Sequence, residues 1–150
     1  MAAFLGIAAT SEILLTSGSA KTLVQIAAPS NHRVKVVRWG VFFDGVSVSA
    51  EPASIRLLRQ TSSGTMSALT ANPLDDSLSE TLQTLAQYGA TSEPSAGAVV
   101  DTIEVHPQTG YEIIYPLGQE VIVGGGDKLG IECTLNSNSV NAKAKIVFEE

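Results

Sequence analysis

Residues 120–133 read EVIVGGGDKLGIEC, and the three glycines at 124–126 admit two folds. In one, a glycine-rich loop opens into a helix whose N-terminus cradles a phosphate. In the other, the glycines turn the chain between two β-strands. A phosphate loop needs a helix straight after it and a Lys-Ser or Lys-Thr pair at its end. Here Lys128 is followed by Leu129, and LGIECTL (129–135) alternates in the manner of a strand. The glycines therefore supply the positive φ of a tight turn, and EVIV and KLGIEC read as the arms of a hairpin.

Outward from that turn, period-two alternation recurs in short runs separated by turn residues. Thr22 to Ala28 alternates after SGSAK, and HRVKVVRWGVFFDG (32–45) places Lys35, Val37, Trp39, Val41 and Phe43 on one side. Val34, Val36, Arg38, Gly40 and Phe42 then share the other side. With apolar residues on both faces, this strand is expected to be central, its second face covered by a loop or a neighbouring subunit. ASIRLLRQ (53–60) sets Ile55 and Leu57 opposite Arg56 and Leu58, and AVVDTIEVHP with YEIIYP reads as a further hairpin across QTG. NAKAKIVFEE closes with Ala142, Ala144, Ile146 and Phe148 inward. The expectation is an all-β protein, an antiparallel two-sheet sandwich or barrel of about eight to ten strands.

Two segments break the pattern. Residues 61–97 are mostly polar, with glycine and proline interspersed, a length that in a compact domain marks an exposed, interaction-making insertion. Within it, 75–86 is expected to form a short helix or helical turn capped by Asp76 or Ser77, with Leu78, Leu82 and Leu85 as its apolar stripe. The first 20 residues are apolar but lack a basic start, and Glu12 interrupts them, so they fit neither a signal peptide nor a membrane helix. They form either an arm that packs on a partner or a first strand, ahead of a single sandwich domain over 21–150.

Composition narrows the function. Charged residues are 16% of the chain, below the roughly 25% of an average soluble protein, which favours a protein that sits against neighbours. The net charge is −6 and the nine basic residues are scattered, so nucleic acid is not an expected partner. The one cysteine, Cys133, lies in a strand pattern and reads as a buried thiol. His32 and His106 have no companions at ligand spacing, and no metal or cofactor is expected. Asp75-Asp76 and Glu149-Glu150 read as solvated pairs, and no G-x-S-x-G elbow accompanies the serines. Trp39, Tyr88, Tyr111 and Tyr115 could stack on a sugar, but Trp39 alternates with core residues.

The segments HRVKVVRWGVFFDG, IRLLRQTSSGT, EVHPQTGYEIIYPLGQEVIVGGGDKLGIEC and VNAKAKIVFEE resemble small jelly-roll proteins of tailed bacteriophages, of the capsid decoration or cement type. The resemblance covers most of residues 20–150 and carries no motif with a chemical role. It implies a jelly-roll-like sandwich, without catalytic residues, on the outside of a virion. Its partners would be the major capsid protein and further copies of itself, as a trimer first and a dimer second, with neither nucleic acid nor membrane bound. The contacts are expected from residues 1–20, through Phe4, Leu5, Ile7, Ile13 and Leu14. The insertion would add Leu74, Leu78, Leu82 and Tyr88, one segment facing the capsid and the other an adjacent decoration subunit. The alternative is a carbohydrate- or receptor-binding jelly roll of a phage fibre or head appendage, which would carry exposed aromatics beside a groove.

Overall fold

Alternating segments that each hide one face bury it either by closing into a barrel or by stacking, and this chain stacks as two antiparallel sheets. A computed structural model describes residues 3–44 and 51–150; residues 1, 2 and 45–50 of the expected arm and sandwich lie outside the described residues. Among the described residues there are thirteen strands and no helix. They are β1 (Leu5–Ala9), β2 (Ile13–Leu15), β3 (Ala20–Ala27), β4 (Val34–Phe43), β5 (Ala53–Gln60), β6 (Thr65–Leu69), β7 (Asn72–Pro73), β8 (Leu85–Ser92), β9 (Ala96–Val105), β10 (Gly110–Ile114), β11 (Val121–Val123), β12 (Lys128–Thr134) and β13 (Val140–Glu149). A seven-stranded sheet runs β10-β4-β13-β1-β7, with β11 also on β4 and β2 also on β13. The six-stranded sheet runs β6-β8-β3-β12-β5-β9. Short strands account for the count above eight to ten.

The inner faces form a dry aliphatic core. Val34, Val36, Trp39, Val41, Ile146 and Phe148 of one sheet and Leu23, Ile26, Ile55, Leu57, Leu129 and Ile131 of the other are all 0% exposed. Branched side chains with few rotamers pack such an interface at low entropic cost. Arg59 at the end of β5 adds a polar tie between the sheets, donating from Nη1 to the Ile122 carbonyl at 2.6 Å.

The strand over 34–43 is central, as expected, but its two-faced apolar pattern has another cause. On β13, Val147 pairs with Arg38 and the next residue, Phe148, pairs with Val36, so Val37 bulges out of register. The bulge reverses the alternation, which brings Val34 and Val36 onto the same inner face as Trp39 and Val41. The second face is Lys35, Arg38, Gly40 and Phe42, so no covering loop or subunit is required there.

The two expected hairpins are also corrected. β11 pairs with β4 in one sheet, whereas β12 pairs with β3 and β5 in the other. β9 likewise pairs with β5 and β10 with β4. Both turns carry the chain from sheet to sheet, the type of connection that makes a sandwich jelly-roll-like. At the glycine turn the Asp127 N–H donates to the Gly124 carbonyl at 2.9 Å, and Gly126 takes φ 84°. The turn backs onto the end of β3 through the Gly126 N–H and the Ala28 carbonyl, 3.2 Å apart.

The polar segment 61–97 is not a single excursion. It contributes β6, β7, β8 and the start of β9 to the sheets. No helix forms over 75–86, because the Asp75 carboxylate accepts the Ser77 N–H at 3.0 Å and the Ser77 hydroxyl at 2.6 Å in a local turn. The leucines then part: Leu82 packs against the core, and Leu85 starts β8 at 72% exposed.

Candidate interaction surfaces

Residues 3–20 are sheet, not a free arm. β1 lies between β13 and β7, and β2 pairs with β13 through Ile13↔Ala142 and Leu14↔Asn141. Pairing fixes which candidate side chains face outward. Leu5 is 41% exposed and Leu14 57%, while Ile13 is 6% exposed inside the core and offers nothing to a partner. Ile7 is half-buried on the outer face opposite Val147, and Phe4 is half-buried at the strand's entry.

The structure brings the two expected contact segments together. β7 pairs with β1 through Gly6↔Pro73 and Ile7↔Asn72, and the Leu74 N–H donates to the Leu5 carbonyl at 2.8 Å. Leu74 is 50% exposed, so Leu5 and Leu74 form one apolar edge. Leu82 reaches in over Gly6 beside the Phe148 ring, and Leu78 and Tyr88 are half-buried, Tyr88 against the core.

Residues 74–84 form a strap held by one carboxylate. Glu150 accepts the Gln83 N–H at 2.6 Å and the Thr84 N–H at 2.8 Å, and it also bonds the Thr84 hydroxyl. The pinned strap separates two open clefts. One, of about 460 Å³, is lined by Leu69, Pro73, Leu82 and Ala86. The other, of about 540 Å³, is lined by Phe4, His32, Arg33, Gln83 and Glu150.

The outer face of the seven-stranded sheet concentrates charge. Lys35 pairs with Glu149 at 2.9 Å, Arg38 with Glu112 at 3.6 Å, Lys145 with Glu112, and Lys143 with Glu12 at 4.0 Å. Each exposed pair is worth about 1 kcal/mol at most. The Lys145 ammonium hydrogen-bonded to Glu112 holds that carboxyl below its ordinary value of 4.5, with burial opposing and Arg38 adding to the effect. Phe42, Ile114 and Ile122 are exposed among these charges. The alternation already separates Phe42 from Trp39 and Val41 and Ile122 from Val121 and Val123, but it does not say that the face they share is open.

The outer face of the six-stranded sheet is instead sealed by a polar relay. The Gln25 side chain donates to Gln60 Oε1 at 2.6 Å and to the Ser62 carbonyl at 3.0 Å. Gln60 donates to the Thr22 hydroxyl at 3.0 Å, and Thr22 donates to Glu93 from its hydroxyl at 2.7 Å and its N–H at 2.8 Å. Ser62 and Glu93 belong to the β5–β6 and β8–β9 connections, so the relay ties both crossings to the sheet. Among the described residues no buried side-chain nitrogen or oxygen lacks a partner.

Chemical groups are dispersed. His32 Nδ1 lies 3.1 Å from Asn31 Oδ1, and exposed His106 accepts the Gln108 N–H at 3.2 Å. Among the described residues no group of three or more His, Cys, Asp or Glu is arranged to hold a metal ion. Of the carboxylate pairs, Asp75 is held below its ordinary range by the Ser77 hydroxyl and N–H, and Glu149 and Glu150 are tied to Lys35 and the strap. Cys133 is free, 1% exposed, and pushed up to about 12 by burial, with Glu132 and Glu104 adding to it. Trp39 is fully buried and donates to the Tyr115 hydroxyl at 2.9 Å; its ring centroid is 5.5 Å from that of Tyr111. These aromatics pack on the core and do not flank a groove. In comparisons with known proteins, the chain matches no family model and no curated protein.

Proposed function

We propose that the chain is a structural protein of a bacteriophage virion that binds the capsid exterior and reinforces junctions between major capsid subunits. One observation supports this reading above the resemblance itself: the two segments expected to make contacts meet at one edge, where Leu5 and Leu74 stand outward on backbone locked to the sheet. A rigid, pre-ordered apolar edge loses little entropy on docking. In this reading the protein performs no catalysis; it stabilises the shell by mass action, because it binds the assembled lattice and not separated subunits. Copies of the chain associate around the junction, three first and two second, and each buries part of the edge.

The carbohydrate-binding alternative gains no support from Trp39, Tyr111 and Tyr115, since Trp39 is sealed and the two tyrosines serve the core. The test is electron microscopy of virions from a phage carrying the gene and from one lacking it. The expected result is density for a small sandwich at the outer junctions of the first and bare junctions in the second. Identical shells would overturn the proposal.

A further inference from the structure

We infer that strand β9 is an open docking edge that accepts, as an added antiparallel or parallel strand, an extended cationic segment of another protein. Among the described residues β9 bonds to β5 on one side only, because it ends the six-stranded sheet. Its ten residues make it the longest of the terminal strands; β6 and β10 have five each and β7 two. A sheet edge leaves alternate N–H and C=O groups unpaired, and proteins ordinarily blunt it with lysine, proline, shortness or bulges. From Ser95 to His106 there is no Lys, Arg or Pro.

Bulges protect only the first half. Leu57 pairs with Asp101 while Leu58 pairs with Val99, and Gln60 pairs with Ala96, so β9 carries the extra residues between 96 and 101. From Asp101 to Val105 the pairing with Leu57 to Ala53 is regular, which leaves a straight five-residue template. Within it the Thr102 N–H donates to the Asp101 carboxylate at 2.9 Å, so an incoming strand competes with that bond while Glu104 stays free of ion pairs among the described residues. Beside it, Val99 and Val100 are 46% and 38% exposed and offer apolar surface to an incoming chain.

Charge selects the occupant. Asp101 and Glu104 are three apart in the regular stretch, so they stand on opposite faces of the strand. The nearby cations on β5 are committed: Arg56 to Glu132, and Arg59 to the Ile122 carbonyl. Glu104 enters no ion pair among the described residues. A second copy of β9 would bring two more carboxylates to a chain already at −6, whereas a segment with a Lys or Arg on each face would oppose both. Strand addition of this kind draws affinity from the backbone and selectivity from side chains at alternate positions.

The test uses the full chain and two short synthetic peptides of alternating Val and Thr, one with a Lys on each face and one with Glu in those places. Amide NMR and hydrogen exchange report binding. The expected result is slowed exchange at the alternate 101–105 amides that do not bond to β5, with the Lys peptide at least roughly fivefold tighter than the Glu peptide. Glu104→Lys, a change at an exposed side chain, should narrow or reverse that preference. Equal binding of both peptides, protection confined to other strands, no protection at all, or concentration-dependent protection of β9 without peptide would each overturn the inference.

Discussion

Gly130 is a residue whose size, not its flexibility, matters. A Cβ there would lie 2.2 Å from Gln60 Oε1, the atom that accepts the Gln25 side chain. Gly130→Ala must therefore break or displace the relay in a buried setting, and a loss of about 1–3 kcal/mol is expected in urea unfolding. A second prediction concerns Cys133. Its thiol is held almost wholly protonated by burial, so it should react with a thiol reagent only at the rate of unfolding. Labelling of the native protein as fast as a free thiol would show that the core is open. The burial of Cys133 was legible, because its strand alternates cleanly. The burial of Ile13 was not: in ILL (13–15) the side facing inward is set by pairing with β13, and that partner is more than a hundred residues away in sequence.

At the scale of elements, the sheets were legible because alternation reports a half-buried strand directly. Three things were hidden. The Val37 bulge shifts phase inside a run that is apolar in either phase, so only the pairing with Arg38 and Val36 reveals it. The glycine turn and the QTG turn signal reversal, but turn chemistry does not encode which sheet receives the next strand. The Leu78, Leu82 and Leu85 spacing suits a helix, yet the Asp75–Ser77 turn and the grip of Glu150 hold the segment extended. That grip is testable. Glu150→Ala removes the acceptor for Gln83, Thr84 and the Thr84 hydroxyl, with an expected cost of about 1–2 kcal/mol and faster proteolysis within 74–84. An unchanged cleavage rate would mean that Leu82 alone secures the strap.

For the whole molecule, the charged outer face of the seven-stranded sheet makes a pH prediction. Glu112 is held below its ordinary value of 4.5, so its contribution is fully present above that value and is lost as pH falls through the lower folded value. Glu112→Gln should therefore flatten the decline of Tm on acidification below pH 4.5 and leave that slope unaltered near neutrality. The larger claim is the proposal that the sandwich acts through its pre-ordered edges. Co-sedimentation of the purified protein with capsids lacking it tests this most directly, with Leu5→Glu/Leu74→Glu as the comparison. The account predicts that the natural chain pellets with intact capsids and not with dissociated subunits, and that the double variant, folded to the same Tm, binds at least tenfold more weakly. Failure of the natural chain to pellet, or pelleting of the variant to the same extent, would contradict it.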